Sequence, residues 1–364
     1  MTLSTTKRIG GLALAATLFV SACGGSSATQ APAATDAPAD NMGLAASLTG
    51  AGASFPEPIY LEWIGKFAEV EPDVTINYQG IGSSGGREQF IAQQVDFAGS
   101  DAFMKDEEIT AALEARPCEA VLHIPTVFGG VAIAYNEPGL EGLILDGETI
   151  ANIALGNITN FNDPAIAALN PGVELPDQAI TWVHRSDGSG TTSIFTTYLT
   201  DVSADWAAGP GKGSEVEWPT GIGGDQNDGV ASAIQQQPGG IGYVSYEFAV
   251  ESGLNVASVV NADGNAIAPS SESVSEAALT VDVPEDFRFA ILGVGGNGYP
   301  IAGATWILAY TCGMEPAKAD ALKAWLTWGL TEGDSLVKEL NYAPLPDELQ
   351  TRVLTQIEKI NSEG

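Results

Sequence analysis

The sequence predicts an α/β protein. Three segments repeat one pattern of β-branched strand, glycine-rich polar turn and amphipathic helix, and 45% of the 364 residues are apolar, enough for two domains with proper cores. In "SLTGAGASFPEPIYLEWIGKF" a short strand gives way to a helix opening around Pro56, with Ile59, Tyr60, Trp63, Ile64 and Phe67 on one stripe. "VTINYQGIGSSGGREQFIAQQV" repeats the pattern with Phe90, Ile91 and Val95 inward. The third unit joins the strand "AITWVHR" through "SDGSGTT" to a helix burying Ile194, Phe195, Tyr198 and Leu199.

These turns are suited to oxyanions. In α/β sheets ligands bind at the carboxyl ends of strands. There the first N–H groups of each helix lack intrahelical partners, and the aligned peptide dipoles leave partial positive charge. Any one such turn is also read as a plain capped helix; three in one chain, two of them dense in hydroxyls, point to a shared anion site. Arg185 adds a planar fork for two oxyanion oxygens, and Asp187 is placed to hold it, the alternative being a surface ion pair. The chain is otherwise acidic, with 46 Asp and Glu against 14 Lys and Arg and a formal charge of −32. That excludes a nucleic-acid face. It also requires an anion site to work by short-range hydrogen bonds in a sheltered place.

The N-terminus reads as an address. Lys7 and Arg8 precede "GGLALAATLFV", an apolar run too short to span a bilayer, and "VSAC" leads to Cys23 as in a bacterial lipobox. Residues 1–22 are the expected signal peptide, with an ordinary signal sequence and an incidental cysteine as the alternative. Residues 23–44 are the expected acylated cysteine and flexible tether, rich in Ala, Pro, Ser and Asp. Cleavage removes both bases and no acid, leaving 46 against 12 and a charge of −34. The protein is thus expected on the extracytoplasmic face of the cell membrane, lipid-anchored. Cys118 and Cys312, an even pair in an oxidising exterior, suggest a disulfide; two buried thiols are the alternative.

Several motifs compete. Gly80, Gly82 and Gly85, with Asp101 about twenty residues on, match the dinucleotide fingerprint, and "GVGGNG" (Gly293 to Gly298) repeats its spacing. Such patterns recur by chance in a chain with 43 glycines, and an exported protein has little access to NAD. Gly82, Ser84 and Gly86 form a G-x-S-x-G elbow followed by acids and His184, so a secreted serine hydrolase acting through Ser84 is the rival reading. "GGDQNDG" (Asp225 to Gly229) lacks a complete calcium loop, and "KDEE" (Lys105 to Glu108) reads as the charged opening of a solvated helix.

Taken together, "LTGAGASFPEPIY", "NYQGIGSSGG", "VDFAGSDA", "RSDGSGTTSIFTTYL", "GGDQNDGVA", "PGGIGYVSYE" and "NYAPLP" closely resemble the PstS family, the phosphate-binding receptors of bacterial phosphate ABC importers, from about Leu48 to the C-terminus. The resemblance implies a type II periplasmic-binding-protein fold of two α/β lobes closing on the ligand. Lobe one would comprise residues 45–127 plus 302–364, and lobe two residues 128–301. Both Cys118 and Cys312 then fall in lobe one. The implied ligands of inorganic phosphate are Ser54, Phe55, Ser83, Asp101, Arg185, Ser189, Gly190 and Thr191, with Asp187 orienting Arg185. Ser54 stands where threonine also occurs in the family, and His184 receives no role. The resemblance further implies no enzyme activity, no cofactor or metal, and the membrane permease subunits as partners. A receptor for another tetrahedral oxyanion, such as arsenate, stays open.

Overall fold

The structure, a computed structural model, describes Met42–Glu363. The expected signal peptide, Cys23 and the tether as far as residue 41 lie outside the described residues. The first repeated unit is β1 (Ala46–Gly52) followed by α1 (Glu57–Val70). Pro56 stands directly before α1, where its fixed φ suits a helix start. Ile59, Tyr60, Trp63 and Phe67 are buried, and Ile64 is half-buried. The second unit is β2 (Val74–Gly80) and α2 (Ser83–Ile91), with Phe90 inward; Val95 is buried beyond the helix, ahead of β3 (Phe97–Ser100). After α3 (Asp106–Ala115) come β4 (Val121–Asn136), β5 (Ile144–Leu145), α4 (Gly147–Ala154) and α5 (Pro164–Leu169).

The third unit is β6 (Thr181–Arg185) and α6 (Gly190–Val202). Phe195, Tyr198 and Leu199 are buried as expected, whereas Ile194 is only half-buried, packing against the edge of the core and lining a cleft. The chain continues through α7 (Ala204–Ala208), β7 (Ile222–Gly224), α8 (Gln226–Gln236), β8 (Gly240–Ser245) and α9 (Tyr246–Glu251). Then come β9 (Asn255–Val256), β10 (Ser258–Val260), β11 (Ala266–Ile267) and α10 (Ser271–Ala278). The last elements are β12 (Ala302–Tyr310), α11 (Pro316–Leu330), α12 (Asp334–Glu339) and α13 (Asp347–Ile357).

The described residues form a nine-stranded sheet in the order β2-β1-β3-β12-β4-β8-β6-β7, with β9 also pairing to β4, and a small sheet β11-β10-β5. Its axis is β4, sixteen residues of which all but the last are buried, as in a central strand covered on both faces. Val121 to Gly130 of β4 pair with β12, and Val131 to Asn136 with β8. β1 and β3 run parallel to the first half of β4, while β6 runs parallel to β8 and so against the second half. The carboxyl ends of β1, β3 and β6 therefore converge, from opposite directions, on the middle of β4.

Two local features shape that middle. Pro125 has no N–H to give the ladder, and the register of β12 shifts between Thr305 and Trp306, which face Val127 and Pro125. Such a bulge re-aims side chains, and Thr305 is one of those it serves. The Cys118–Cys312 disulfide, Cα–Cα 5.4 Å, ties the segment after α3 to the end of β12 across 194 residues of chain. Closing so long a loop constrains the unfolded state strongly. The double variant C118A/C312A is expected to lose about 2–5 kcal/mol of stability, read as a lower urea midpoint; an unchanged midpoint would contradict this.

Candidate functional site

The site is built where the three helix starts meet. Ser54 and Phe55, in the turn between β1 and α1, are almost fully buried. That turn is pinned by the Tyr78 hydroxyl donating to the Ala53 carbonyl at 2.8 Å and the Tyr342 hydroxyl donating to that of Phe55 at 2.6 Å. Ser83 is the first residue of α2; its hydroxyl accepts from the Asp101 amide at 3.1 Å and lies 3.3 Å from Asp101 Oδ2. Asp101 follows β3 and is 4% exposed. Thr305, on β12 opposite the β4 bulge, donates to Asp101 Oδ1 at 2.8 Å.

From the opposite side come the end of β6 and the start of α6. Arg185, 3% exposed, donates from Nε and Nη2 to the two oxygens of Asp187 at 2.7 and 2.5 Å, and its Nη1 lies 3.4 Å from Thr191 Oγ1. Asp187 also accepts from the Gln226 amide at 3.1 Å. Ser189 caps α6 by accepting from the Thr192 amide at 3.1 Å, while the Gly190 and Thr191 amides, the first two of the helix, have no intrahelical acceptor.

Glycine lets the two sides approach. A Cβ on Gly190 would lie 2.3 Å from Ser83 Oγ and 2.5 Å from Asp101 Oδ2. Gly82 has a φ of +82°, and a Cβ there would meet Asp187 Oδ2 at 2.6 Å. The Ser84 amide donates across the junction to the Gly188 carbonyl at 2.9 Å. Ser54, Phe55, Ser83, Asp101, Arg185, Ser189, Gly190 and Thr191 thus surround one region, with Asp187 holding Arg185.

Four further residues belong to it. Asn227, fully buried, donates to Ser54 Oγ at 3.1 Å and Thr191 Oγ1 at 3.3 Å, and accepts from the Ser245 amide at 3.0 Å. The Tyr243 hydroxyl accepts from the Arg185 amide at 3.1 Å and pairs with Thr192 Oγ1 at 2.6 Å. The other two are Thr305 and Glu247. The Ser245 hydroxyl donates to Glu247 Oε2, and Oε1 has no hydrogen-bond partner among the described residues. Signals for two of the four stand in the sequence. Asn227 shares the buried face of α8 with Val230, Ala231 and Ile234, a polar side chain on an apolar stripe, and Thr305 sits inside a wholly buried strand.

Burial dominates the electrostatics. It pushes the Asp101 carboxyl up to about 7, against the Thr305 hydrogen bond, the Arg185 charge, the Ser83 hydrogen bond and the Arg87 charge. Burial likewise lifts Glu247 to about 8, opposed by the Ser245 hydroxyl and reinforced by Asp101.

The competing motifs do not assemble. Ser84 Oγ accepts from Arg87 Nη2 at 3.3 Å, while His184 stacks on Trp218 at 4.7 Å with Nδ1 2.9 Å from the Arg185 carbonyl oxygen. The other histidine, His123, accepts the Met104 amide at 3.0 Å, so neither ring serves Ser84. The glycine turn at Gly82 is filled by Asp187 rather than open to a pyrophosphate. Among the described residues no group of three or more His, Cys, Asp or Glu could hold a metal ion.

Comparison with known proteins bears on the family and the fold. Residues 26–332 match the family model of the PBP superfamily domain. The phosphate-binding protein PstS of Pasteurella multocida is 39% identical over 317 residues, 86% of this chain and 90% of its own. That of Haemophilus influenzae is 38% identical over 315 residues, 85% and 92% of the two chains. The chain belongs to the PstS family. A solved high affinity periplasmic phosphate-binding protein (PfluDING), bound with phosphate at pH 8.5, shares the fold with a TM-score of 0.70 at 21% identity, covering 85% of this chain and 93% of its own. The curled α/β sheet is the type II periplasmic-binding-protein fold that the PstS resemblance implies.

Raised acids make a stability statement. Asp101 and Glu247 ordinarily titrate near 3.8 and 4.5, so the folded protein holds protons that the unfolded chain releases. Stability is complete below those values and falls as pH rises through about 7 and 8. Glu247→Gln is expected to remove the upper part of that fall, a gain on the order of a few kcal/mol at pH ~8.5 relative to pH ~5. Urea midpoints that move in parallel for variant and unaltered protein would contradict it.

Proposed function

We propose that the chain is a receptor that binds inorganic phosphate outside the cytoplasmic membrane and delivers it to the permease of a phosphate ABC importer. One observation carries this reading. A buried acid, Asp101, stands among groups that otherwise can donate to an anion: the amide end of α6, the hydroxyls of Ser83 and Thr191, and the Arg185 guanidinium. The PstS relatives are phosphate-binding proteins by name, which supports the same ligand.

In this reading the Phe55, Gly190 and Thr191 amides, the Ser54, Ser83, Ser189 and Thr191 hydroxyls and Arg185 hold the ion, with Asp187 keeping the guanidinium in plane. Asp101 tests it for a proton. Monobasic and dibasic phosphate both carry a P–OH that donates to the carboxylate. Sulfate carries none, and faces a buried carboxylate without its hydrogen bond. Arsenate keeps an ionisable proton, so Asp101 does not reject it.

The two lobes of this receptor are residues 45–127 with 302–364, and 128–301, moving about the crossings in β4 and β12. No helix among the described residues is long and apolar enough to cross a membrane; a lipid on Cys23 would provide the attachment. The serine hydrolase reading lacks its base, since His184 stacks on Trp218 instead of meeting Ser84.

Calorimetric titration of the full chain with phosphate and then sulfate tests the reading, which fails if phosphate is not bound or if sulfate is bound equally well. Asp101→Asn is expected to narrow the phosphate-over-sulfate preference at least about tenfold, ~1.4 kcal/mol; unchanged competition would refute its role. Because Asp101 must gain a proton before sulfate is accepted, sulfate affinity should fall up to tenfold per pH unit above about 7. A pH-independent sulfate affinity would contradict this.

A further inference from the structure

The described chain carries twelve cationic side chains among its many acids, and three of them line one small cleft. The cleft has a volume of about 240 Å³, and its apolar lining includes Phe103, Ile194, Phe289 and Trp306. Its cations are Arg87, Lys105 and Lys212, and the sole acid in its lining is Asp101. Lys105, Lys212 and Phe103 are exposed, whereas Asp101 is 4% exposed, so the cleft leads from solvent to the inspecting carboxyl.

Two acids in the first turn of α3, directly after Lys105, are already engaged. Glu108 pairs with Arg87 at 2.9 Å and Asp106 with Arg288 at 2.7 Å. Arg87 is further fixed by the Ser100 hydroxyl at 3.1 Å, close enough to Asp101 for its charge to act there. Lys105 and Lys212 make no ion pair among the described residues. The second cavity beside the site has the opposite character: about 630 Å³, it reaches Arg185 but is lined by Asp187, Glu215 and Glu217. An anion approaching this acidic protein thus meets one attractive route and one repulsive one.

We infer that the Arg87–Lys105–Lys212 cleft is a capture vestibule, a transient docking site for a still partly hydrated divalent oxyanion before it passes Asp101. The inference rests on the phosphate reading above. Its physical logic is rate rather than affinity. Two unpaired lysines converging with Arg87 in a cleft with low-dielectric walls raise the local anion concentration and the on-rate, and salt screens the effect. Ser193, Thr197 and Ser214 in the walls give hydroxyl partners along the way, and none of them touches Arg185 or Asp101 by hydrogen bond among the described residues.

The test is rapid mixing of the full chain with inorganic phosphate, followed by tryptophan fluorescence, with Trp306 standing in the cleft wall. Lys105→Glu and Lys212→Glu are compared with Lys338→Glu, an exposed charge on α12 that does not line the cleft. At ionic strength of about 0.01 M, where charges reach ~30 Å, each cleft variant is expected to slow association about threefold to tenfold. Dissociation should change less than about twofold, and the association difference should collapse at about 1 M salt, where the reach is ~3 Å. Lys338→Glu should leave the association rate near that of the unaltered protein. Equal association rates for all variants, or a loss confined to dissociation, would overturn the vestibule while leaving phosphate binding intact. If the unaltered protein gives no phosphate signal and no calorimetric heat, the phosphate reading itself fails, and the vestibule with it.

Discussion

A carboxyl group sealed from water must find hydrogen-bond partners or stay protonated, and the architecture around Asp101 follows from that constraint. Ser83 reaches it only because α2 starts directly after a left-handed glycine, and Thr305 lies on β12 beside the point where β4 bulges at Thr126. The backbone of α6 approaches within van der Waals range because residue 190 has no side chain. Each of these features is a local departure from regular structure, and all converge on one pair of oxygens. The long β4 strand sets the frame, since elements from both of its halves must meet at its middle.

The same economy governs charge. Arg185 is tied through two contacts to Asp187, so its guanidinium contributes direction more than net charge. Whatever attraction for an anion remains comes from oriented amides and hydroxyls, which are effective only at short range and in a dry place. That is how a chain with three times as many acids as bases accommodates such a site, and it explains why unpaired lysines matter where they stand at an opening rather than inside it.

Much of this was legible in the sequence. The three strand–turn–helix units, the start of α1 and the buried faces of α1 and α6 follow from period and capping chemistry, and the turns announced an anion site. What period alone could not supply was partnership across distant segments. Thr305 reads as one more residue of an apolar strand until its bond to Asp101 is seen, and Asn227 as one polar position in a helix until its two donor contacts are seen. Ile194 was expected in the core because helical spacing marks an apolar face without saying what lies opposite, and here that is the edge of the core beside a cleft. The "KDEE" run does open α3 as a charged helix start, but its lysine stands at the mouth of that cleft, which no local pattern encodes.

The titrating groups have traded their usual ranges. Burial lowers both histidines, His123 to about 4, while Asp101 and Glu247 rise to about 7 and 8. Two carboxyls walled inside the molecule thus titrate near neutrality, the range usually left to imidazoles. Filling the space beside them must redistribute protons between ion, protein and solvent, so the heat of uptake will depend on the ionisation enthalpy of the buffer chosen, and its slope against that enthalpy counts the protons exchanged.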